Sequence, residues 1–217
     1  MLLYVMFKCG DNLRQDILTL QILRYMDELW LQNGMDLRLS PYNVIATGLT
    51  ENKKGCGMIE IMLKSCTTAG IQMEYGGGAG GAFKVETLDQ YLRDHNKTDE
   101  AYQKAVENFT YSCAGYCVAT YVMGIGDRHN DNIMLTHDGH LFHIDFGHIL
   151  GNFKFKYGFK RERSAFVFTP EMAYVMGGKN YESSQMFKEF KQICYNAFLC
   201  LRRHASDLEN LFGAMLG

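Results

Sequence analysis

The sequence has almost no net charge, no long apolar run and no cysteine pattern at metal-ligand spacing, and each absence excludes a class of function. With 22 Lys and Arg against 24 Asp and Glu, the formal net charge is −2. Attraction to an anionic surface must therefore come from a local patch, and no nucleic-acid partner is expected. No apolar stretch approaches the ~18 residues of a membrane-spanning helix, so any membrane contact is peripheral. The opening run Met1–Phe7 is too short to span a bilayer and lacks a cleavable pattern; it reads as a buried strand. Seven cysteines without a signal peptide fit a reducing, cytoplasmic compartment, where they serve as small apolar residues. Cys113 and Cys117 stand four apart with no second Cys or His pair at ligand spacing, which argues against structural zinc. The glycine-rich run Gly76–Ala82 has neither a Gly-Lys-Ser/Thr ending nor an apolar strand leading into it. It reads as a surface loop, not a phosphate cradle.

An apolar content of 47% in 217 residues is enough for a sizeable core, and suits one large domain or one lobe of a two-lobed domain. Leu13, Ile17, Leu20, Leu23, Met26, Trp30 and Leu31 follow helical spacing up to Gly34. Leu37–Ala46 reads as a strand interrupted at Pro41 and carrying Tyr42, and Gly57–Met62 reads as another. A short helix over Val85–His95 precedes a long one over Thr98–Met123, capped by Thr98 with Asp99 and Glu100 in its first turn. Ile133–Leu135 and Leu141–Ile144 are short strands joined by a polar turn at His137-Asp138-Gly139. Pro170–Met176 and Tyr181–Leu216 supply three helices, separated by Gly177-Gly178 and by a break near Ser206. The fold class is α+β.

Residues able to carry chemistry concentrate on either side of that hairpin. One stretch is Gly126-Asp127-Arg128-His129-Asn130-Asp131-Asn132; the other is His143-Ile144-Asp145-Phe146-Gly147-His148. Asn132 follows Asp127 by five positions and Asp145 follows it by eighteen. Phosphoryl transfer needs hard oxygen ligands for Mg²⁺, cations beside the phosphates and a group that orients the attacking hydroxyl. Taken singly, Asp127 and Asp145 fit ordinary turn or capping acids; both motifs in register favour a catalytic site. Beyond them, Gly151–Ala165 holds Lys154, Lys156, Lys160, Arg161 and Arg163 against one acid, Glu162, a local charge of +4. Read alone, that segment is a solvated loop or a nuclear-localisation signal.

The Asp, Asn, Asp-Phe-Gly spacing is that of protein kinases, but Asp-Arg-His reverses their His-Arg-Asp order. Gly-Asp-Arg-His-x-x-Asn followed by His-Ile-Asp-Phe-Gly resembles the phosphatidylinositol 3- and 4-kinase superfamily, which also contains related protein kinases. Phe7–Asp16, Ser112–Cys117 and Lys160–Arg163 are similar to phosphoinositide 3-kinases, most closely those of class I. The likeness covers essentially the whole chain.

By this resemblance the fold is kinase-like: residues 1–62 form the end of the amino-terminal lobe and the hinge, and residues 63–217 the mostly helical carboxy-terminal lobe. The catalytic loop falls at 126–132 and the activation loop at 145–170. The resemblance further implies a chain incomplete at both ends, weak or inactive in isolation. It implies ATP- and Mg²⁺-dependent phosphorylation of the 3-hydroxyl of phosphatidylinositol lipids, with the 4,5-bisphosphate as the expected substrate. Asp127 then orients or deprotonates the hydroxyl, Asn132 and Asp145 hold Mg²⁺, and His129 and His148 lie near the transferred phosphate with their division of labour open. Lys8 contacts the ATP phosphates, Asp11, Asp16 and Tyr42 line the pocket, and adenine is held by the Glu60 carbonyl and the Met62 amide. Asn12 departs from the usual second Asp of its motif, while the outer acids remain. Lys154, Lys156, Lys160, Arg161 and Arg163 are expected to recognise the phosphorylated headgroup. The expected partner is a phosphoinositide lipid at the surface of a membrane to which a cytoplasmic protein is recruited. There is room for a regulatory subunit bound through domains that this chain lacks. A class II enzyme, a related protein kinase and a non-catalytic truncated chain are the alternatives; Lys154 and Lys156 favour class I.

Overall fold

The computed structural model describes residues 3–49, 55–77, 84–147, 149, 155–156, 159–160 and 164–216. Its organising element is helix α4 (Asp99–Val122), which starts where Thr98 Oγ1 accepts the Ala101 amide and where Asp99 and Glu100 complement the helix dipole. Nearly every residue from Ala105 to Thr120 is buried. Hydroxyls inside this apolar surrounding are paired locally: Thr110 and Thr120 donate to the carbonyls of Val106 and Tyr116. The other helices are α1 (Arg14–Gln32), α2 (Thr68–Gly76), α3 (Thr87–His95), α5 (Pro170–Val175), α6 (Gln185–Arg203) and α7 (Ala205–Leu216), of which α3 and α6 pack against α4. Trp30 of α1 is fully buried, and its indole N–H reaches the Ala197 carbonyl of α6 at 3.0 Å, so the first and sixth helices share one core.

Two antiparallel sheets frame the site. One orders β1 (Val5–Cys9), β3 (Gly55–Glu60) and β2 (Val44–Leu49); the other orders β4 (Ser65–Thr67), β5 (Ile133–Thr136) and β6 (Leu141–His143). A further short pair joins β7 (Phe155–Lys156) to β8 (Phe159–Lys160). The β5–β6 hairpin is fastened to α4: the Leu141 amide donates to Ser112 Oγ at 2.9 Å, and Asn108 Nδ2 donates to the Asp138 carbonyl at 2.7 Å. Its turn presses so closely on the helix that a Cβ at Gly139 (φ +93°) would lie 2.0 Å from the Ala105 carbonyl oxygen.

Apart from α2, the helices and the hairpin fall where hydrophobic spacing and capping residues put them. Two expectations are corrected. The opening strand is not buried: β1 is a sheet edge, and Val5, Met6 and Phe7 are 49%, 47% and 61% exposed. The strand expected over Leu37–Ala46 begins only at Val44. Arg38 takes a left-handed backbone (φ 53°), its guanidinium is spent on Asn108 and Glu107 of α4, and Pro41 has no amide to donate. The helical break expected near Ser206 falls at His204. Of the glycine-rich run, residues 78–82 lie outside the described residues.

Candidate functional site

A cavity of about 390 Å³ opens where the two sheets meet. Met6, Ile59, Met134 and Ile144 form its apolar walls, while Lys8, Asp16, Asn132 and Asp145 bring polar groups to it; Tyr42 and the run Glu60–Met62 complete the lining. Five segments therefore converge: β1, the start of α1, the end of β3 and the two loops flanking the β5–β6 hairpin.

Those loops are cross-tied. The Ile144 amide donates to the Asn132 carbonyl at 3.0 Å, and the Asn132 amide to the His129 carbonyl at 2.8 Å. Arg128 spans both loops, donating from Nε to Gly126 O at 3.1 Å, from Nη1 to Ile144 O at 2.7 Å, and from Nη2 to Asp145 O. Asp127 and Asp145 both sit in the left-handed region, at φ 57° and 59°. Non-glycine residues are uncommon there; Asp and Asn are the ones best able to adopt it, and such conformations persist where surrounding contacts enforce them. Here the Arg128 fork and the hydrogen bond from Asn132 Nδ2 to the Asp127 carbonyl, at 3.0 Å, do the enforcing.

The second loop is also hung from α1. Asp16, buried at 8% exposure, accepts the Phe146 amide on Oδ1 at 3.0 Å. Burial pushes its carboxyl pKa up, the Phe146 N–H pulls it down, and the nearby Asp145 charge adds to the rise. Tyr42, expected on a strand, lies in the irregular segment before β2; burial raises its phenol, with Asp16 adding and a hydrogen bond to the Asp145 backbone opposing. Lys8 Nζ pairs with Asp11 Oδ2 at 2.6 Å. That bond raises the lysine and lowers the carboxyl, so both are charged at neutral pH.

Asn132 Nδ2 is directed to the Asp127 carbonyl and, at 3.2 Å, to His129 Nε2. Its carbonyl oxygen is thereby left as the acceptor end of the side chain, beside the Asp145 carboxylate in the same cavity wall. Two hard oxygen donors suit Mg²⁺, which keeps waters and phosphate oxygens as its other ligands. No group of three or more His, Cys, Asp or Glu side chains able to hold a metal occurs among the described residues. His129 faces Asp131, with Nδ1 3.7 Å from Oδ2. At the opposite end, the Asn43 amide, which would close the ladder on the Glu60 carbonyl, donates instead to the Glu60 carboxylate at 2.8 Å.

The structure thus brings Lys8, Asp16, Tyr42, Glu60, Met62, Asn132 and Asp145 to one cavity, with Asp11 paired to Lys8 and with Asp127 and His129 bonded to Asn132. His148, Lys154, Arg161 and Arg163 lie outside the described residues, and of Lys156 and Lys160 only the β7 and β8 backbone is described. Sequence reasoning missed Arg128, although it stands inside the first motif, and it missed α2, whose Gln72 bonds to Asn130. It also missed His143, which stacks on Tyr116 behind the site with centroids 5.1 Å apart and planes 8° apart. Burial, then the Arg128 charge, pushes the His143 imidazole down to about 3.

The family model for phosphatidylinositol 3- and 4-kinase matches residues 3–217. Phosphatidylinositol 3-kinase 1 of Dictyostelium discoideum is 57% identical over 212 residues, covering 98% of this chain and 13% of the relative. Phosphatidylinositol 3-kinase 2 of the same organism is 56% identical, covering 99% of the chain and 11% of the relative. The human phosphatidylinositol 4-phosphate 3-kinase C2 domain-containing subunit beta is 49% identical, covering 98% and 12% respectively. The chain therefore spans only 11% to 13% of the length of these relatives.

Proposed function

The chain belongs to the phosphatidylinositol 3- and 4-kinase family, and from that premise we propose that it is the catalytic part of an ATP-dependent lipid kinase acting on the inositol 3-hydroxyl. The observation that carries this reading is the single cavity in which an apolar slot meets Lys8, Asn132 and Asp145. Residues 1–62 are then the end of the amino-terminal lobe with the hinge, and residues 63–217 the carboxy-terminal lobe, with the catalytic loop at 126–132 and the activation loop at 145–170.

Adenine would lie between Met6 and Ile59, paired across β1 and β3, and Met134 and Ile144 of the hairpin region, with the Glu60 carbonyl and Met62 amide as its backbone partners. Lys8 places a cation at the phosphates, held in position by Asp11. Asn132 and Asp145 would hold Mg²⁺, which when bound supplies positive charge to the phosphate oxygens. Asp127 orients the lipid hydroxyl and accepts its proton. His129, its Nε2 facing Asn132 Nδ2 and its Nδ1 facing Asp131, steadies the loop and adds polarity beside the transferred group. The partner is a phosphoinositide in a membrane met peripherally; no helix among the described residues is long and apolar enough to cross one. Met6, on the cavity wall, is 47% exposed, so the cavity is open to solvent on that side.

Phosphatidylinositol 4,5-bisphosphate is the substrate that the five cations of the 151–165 segment favour. A second reading, phosphatidylinositol 4-phosphate, is favoured by the likeness to the relative named for that lipid. The test is a panel of vesicles carrying phosphatidylinositol, its 4-phosphate or its 4,5-bisphosphate, with a peptide as protein-kinase control. Lys160→Ala with Arg161→Ala should sharply reduce phosphorylation of the bisphosphate and spare that of plain phosphatidylinositol. Equal loss on both lipids would overturn the headgroup assignment, and preference for peptide would overturn the lipid-kinase reading.

A further inference from the structure

We propose that Gln72 and Glu171 are positioning residues for the catalytic loop, coupled to it by a directional hydrogen-bond relay that ends on Asn130. The inference rests on the lipid-kinase reading above and adds residues that neither motif contains. Asn130 lies between His129 and Asp131, and α2 grips it three times. Its Nδ2 donates to Gln72 Oε1 at 2.8 Å, and its carbonyl accepts from Thr68 Oγ1 at 2.9 Å and from the Ala69 amide at 3.0 Å. Gln72 in turn donates from Nε2 to Glu171 Oε1 at 2.8 Å.

The carboxylate gives the relay its direction. A side-chain amide can turn either end to a partner, but an ionised carboxylate only accepts. Glu171 is buried in the first turn of α5, where Thr169 caps the helix by accepting the Met172 amide. It therefore fixes the Gln72 nitrogen toward itself and the Gln72 oxygen toward Asn130. Glu171 is buried and Gln72 and Asn130 are half-buried, so a mispaired arrangement costs more than it would on an open surface. The loop carrying Asp127 and Asn132 is thus held from beneath by an acid on α5, at the far end of the segment that begins at Asp145. Gln72 and Glu171 do not line the nucleotide cavity, so their effect on transfer is through the loop.

The relay can be broken and rebuilt in reverse. Gln72→Glu sets carboxylate against carboxylate. Adding Glu171→Gln restores complementarity, because the amide introduced at 171 donates to the carboxylate introduced at 72, whose second oxygen still accepts from Asn130. Two readouts are taken on wild type, both single variants and the double variant. The first is amide hydrogen exchange of residues 129–132; the second is kcat and KM for ATP on phosphatidylinositol vesicles, measured with the full-length protein. Gln72→Glu should speed exchange and lower kcat by about ten- to a hundredfold, with KM for ATP within about threefold. Glu171→Gln, which exchanges a charge-assisted bond for a neutral one, should cost less, and the double variant should return to within about threefold of wild type. If the double variant exchanges as fast as Gln72→Glu, or Gln72→Glu exchanges like wild type, the relay is refuted. Restored exchange without restored kcat would refute its part in catalysis. A wild-type protein that phosphorylates no inositol lipid would overturn the proposed function, and the exchange arm would still decide the relay.

Discussion

Asp16 is the residue at which the charge and the hydrogen bonding of this site can be separated experimentally. Its Oδ1 accepts the Phe146 amide at 3.0 Å from a position 8% exposed, and that bond anchors the loop carrying Asp145. Asp16→Ala deletes the acceptor and leaves a buried N–H unpaired, at about 1–3 kcal/mol. For a domain of this size each kcal/mol moves Tm by about 2–4 °C, so the alanine variant should melt roughly 2–12 °C lower. Asp16→Asn keeps an oxygen for the Phe146 amide and discards an ionised group that burial disfavours. It should melt at or above the wild-type temperature near neutral pH. The pH dependence has a definite sign. Because burial raises the folded-state pKa, the native protein keeps this proton to higher pH than the unfolded chain. Stability associated with the group is greatest below the ordinary Asp range and declines as pH rises through the folded-state value. The melting difference between Asp16→Asn and wild type should therefore grow in favour of the variant from about pH 4 to pH 7. Calorimetry across that range, with exchange of the Phe146 amide as local probe, decides the matter. An asparagine variant as unstable as the alanine one would refute the argument, as would an alanine variant that melts with wild type.

Asp145→Asn and Asp127→Asn should each leave the circular dichroism spectrum intact, since Asn tolerates the left-handed backbone at φ 59° and 57°. Each should lower lipid phosphorylation at least about a hundredfold; near wild-type turnover would remove that residue from the site. His143→Phe should flatten the acid limb of the stability curve. With its imidazole held down to about 3, His143 stays neutral while the unfolded chain takes a proton. Wild-type stability then falls as pH drops below the usual His range, by up to about 1.4 kcal/mol per pH unit, and urea unfolding at several pH values should show this decline lost in the variant. Gly139→Ala should cost about 2–4 kcal/mol, because the new methyl meets the Ala105 carbonyl oxygen at 2.0 Å and the backbone holds φ +93°; an unchanged melting temperature would mean that the hairpin is not seated on α4.

The parts legible in the sequence are those governed by local rules. The span of α4 follows from Thr98, the acids after it and a continuous apolar middle; the hairpin turn follows from His137-Asp138-Gly139. Helix α2 escaped because Thr68–Gly76 is nine residues long, contains Gly70 and has no strongly one-sided apolar face. The edge position of β1 escaped for another reason: an apolar run states that burial is favourable, not which neighbours are there to provide it. The irregular course of residues 37–43 depends on Arg38 finding Glu107 and Asn108, partners about seventy positions away. Spacing alone placed Asp127, Asn132 and Asp145 near one another, yet nothing local in Asp-Arg-His announces that Arg128 joins the two loops through three carbonyls.

Arg128 resolves a difficulty that the spacing of the acids creates. A site that brings Asp16 and Asp145 to one cavity, with Asp127 in the adjoining loop, must hold these acids close without their repulsion opening the loops. A lysine at position 128 would bring a single ammonium, whereas the guanidinium fork reaches Gly126 O, Ile144 O and Asp145 O together. Because these partners are backbone carbonyls, the cation is not consumed by one carboxylate. Its field acts on Asp145, Asp127 and Asp16 together. Burial is the largest influence on the guanidinium and opposes its charge, while Asp145 and Asp127 favour it. Arginine remains protonated under such opposition, which a lysine need not. The same geometry holds both acids in the left-handed conformation, so one side chain supplies the compensating charge and the backbone restraint on which the cavity depends.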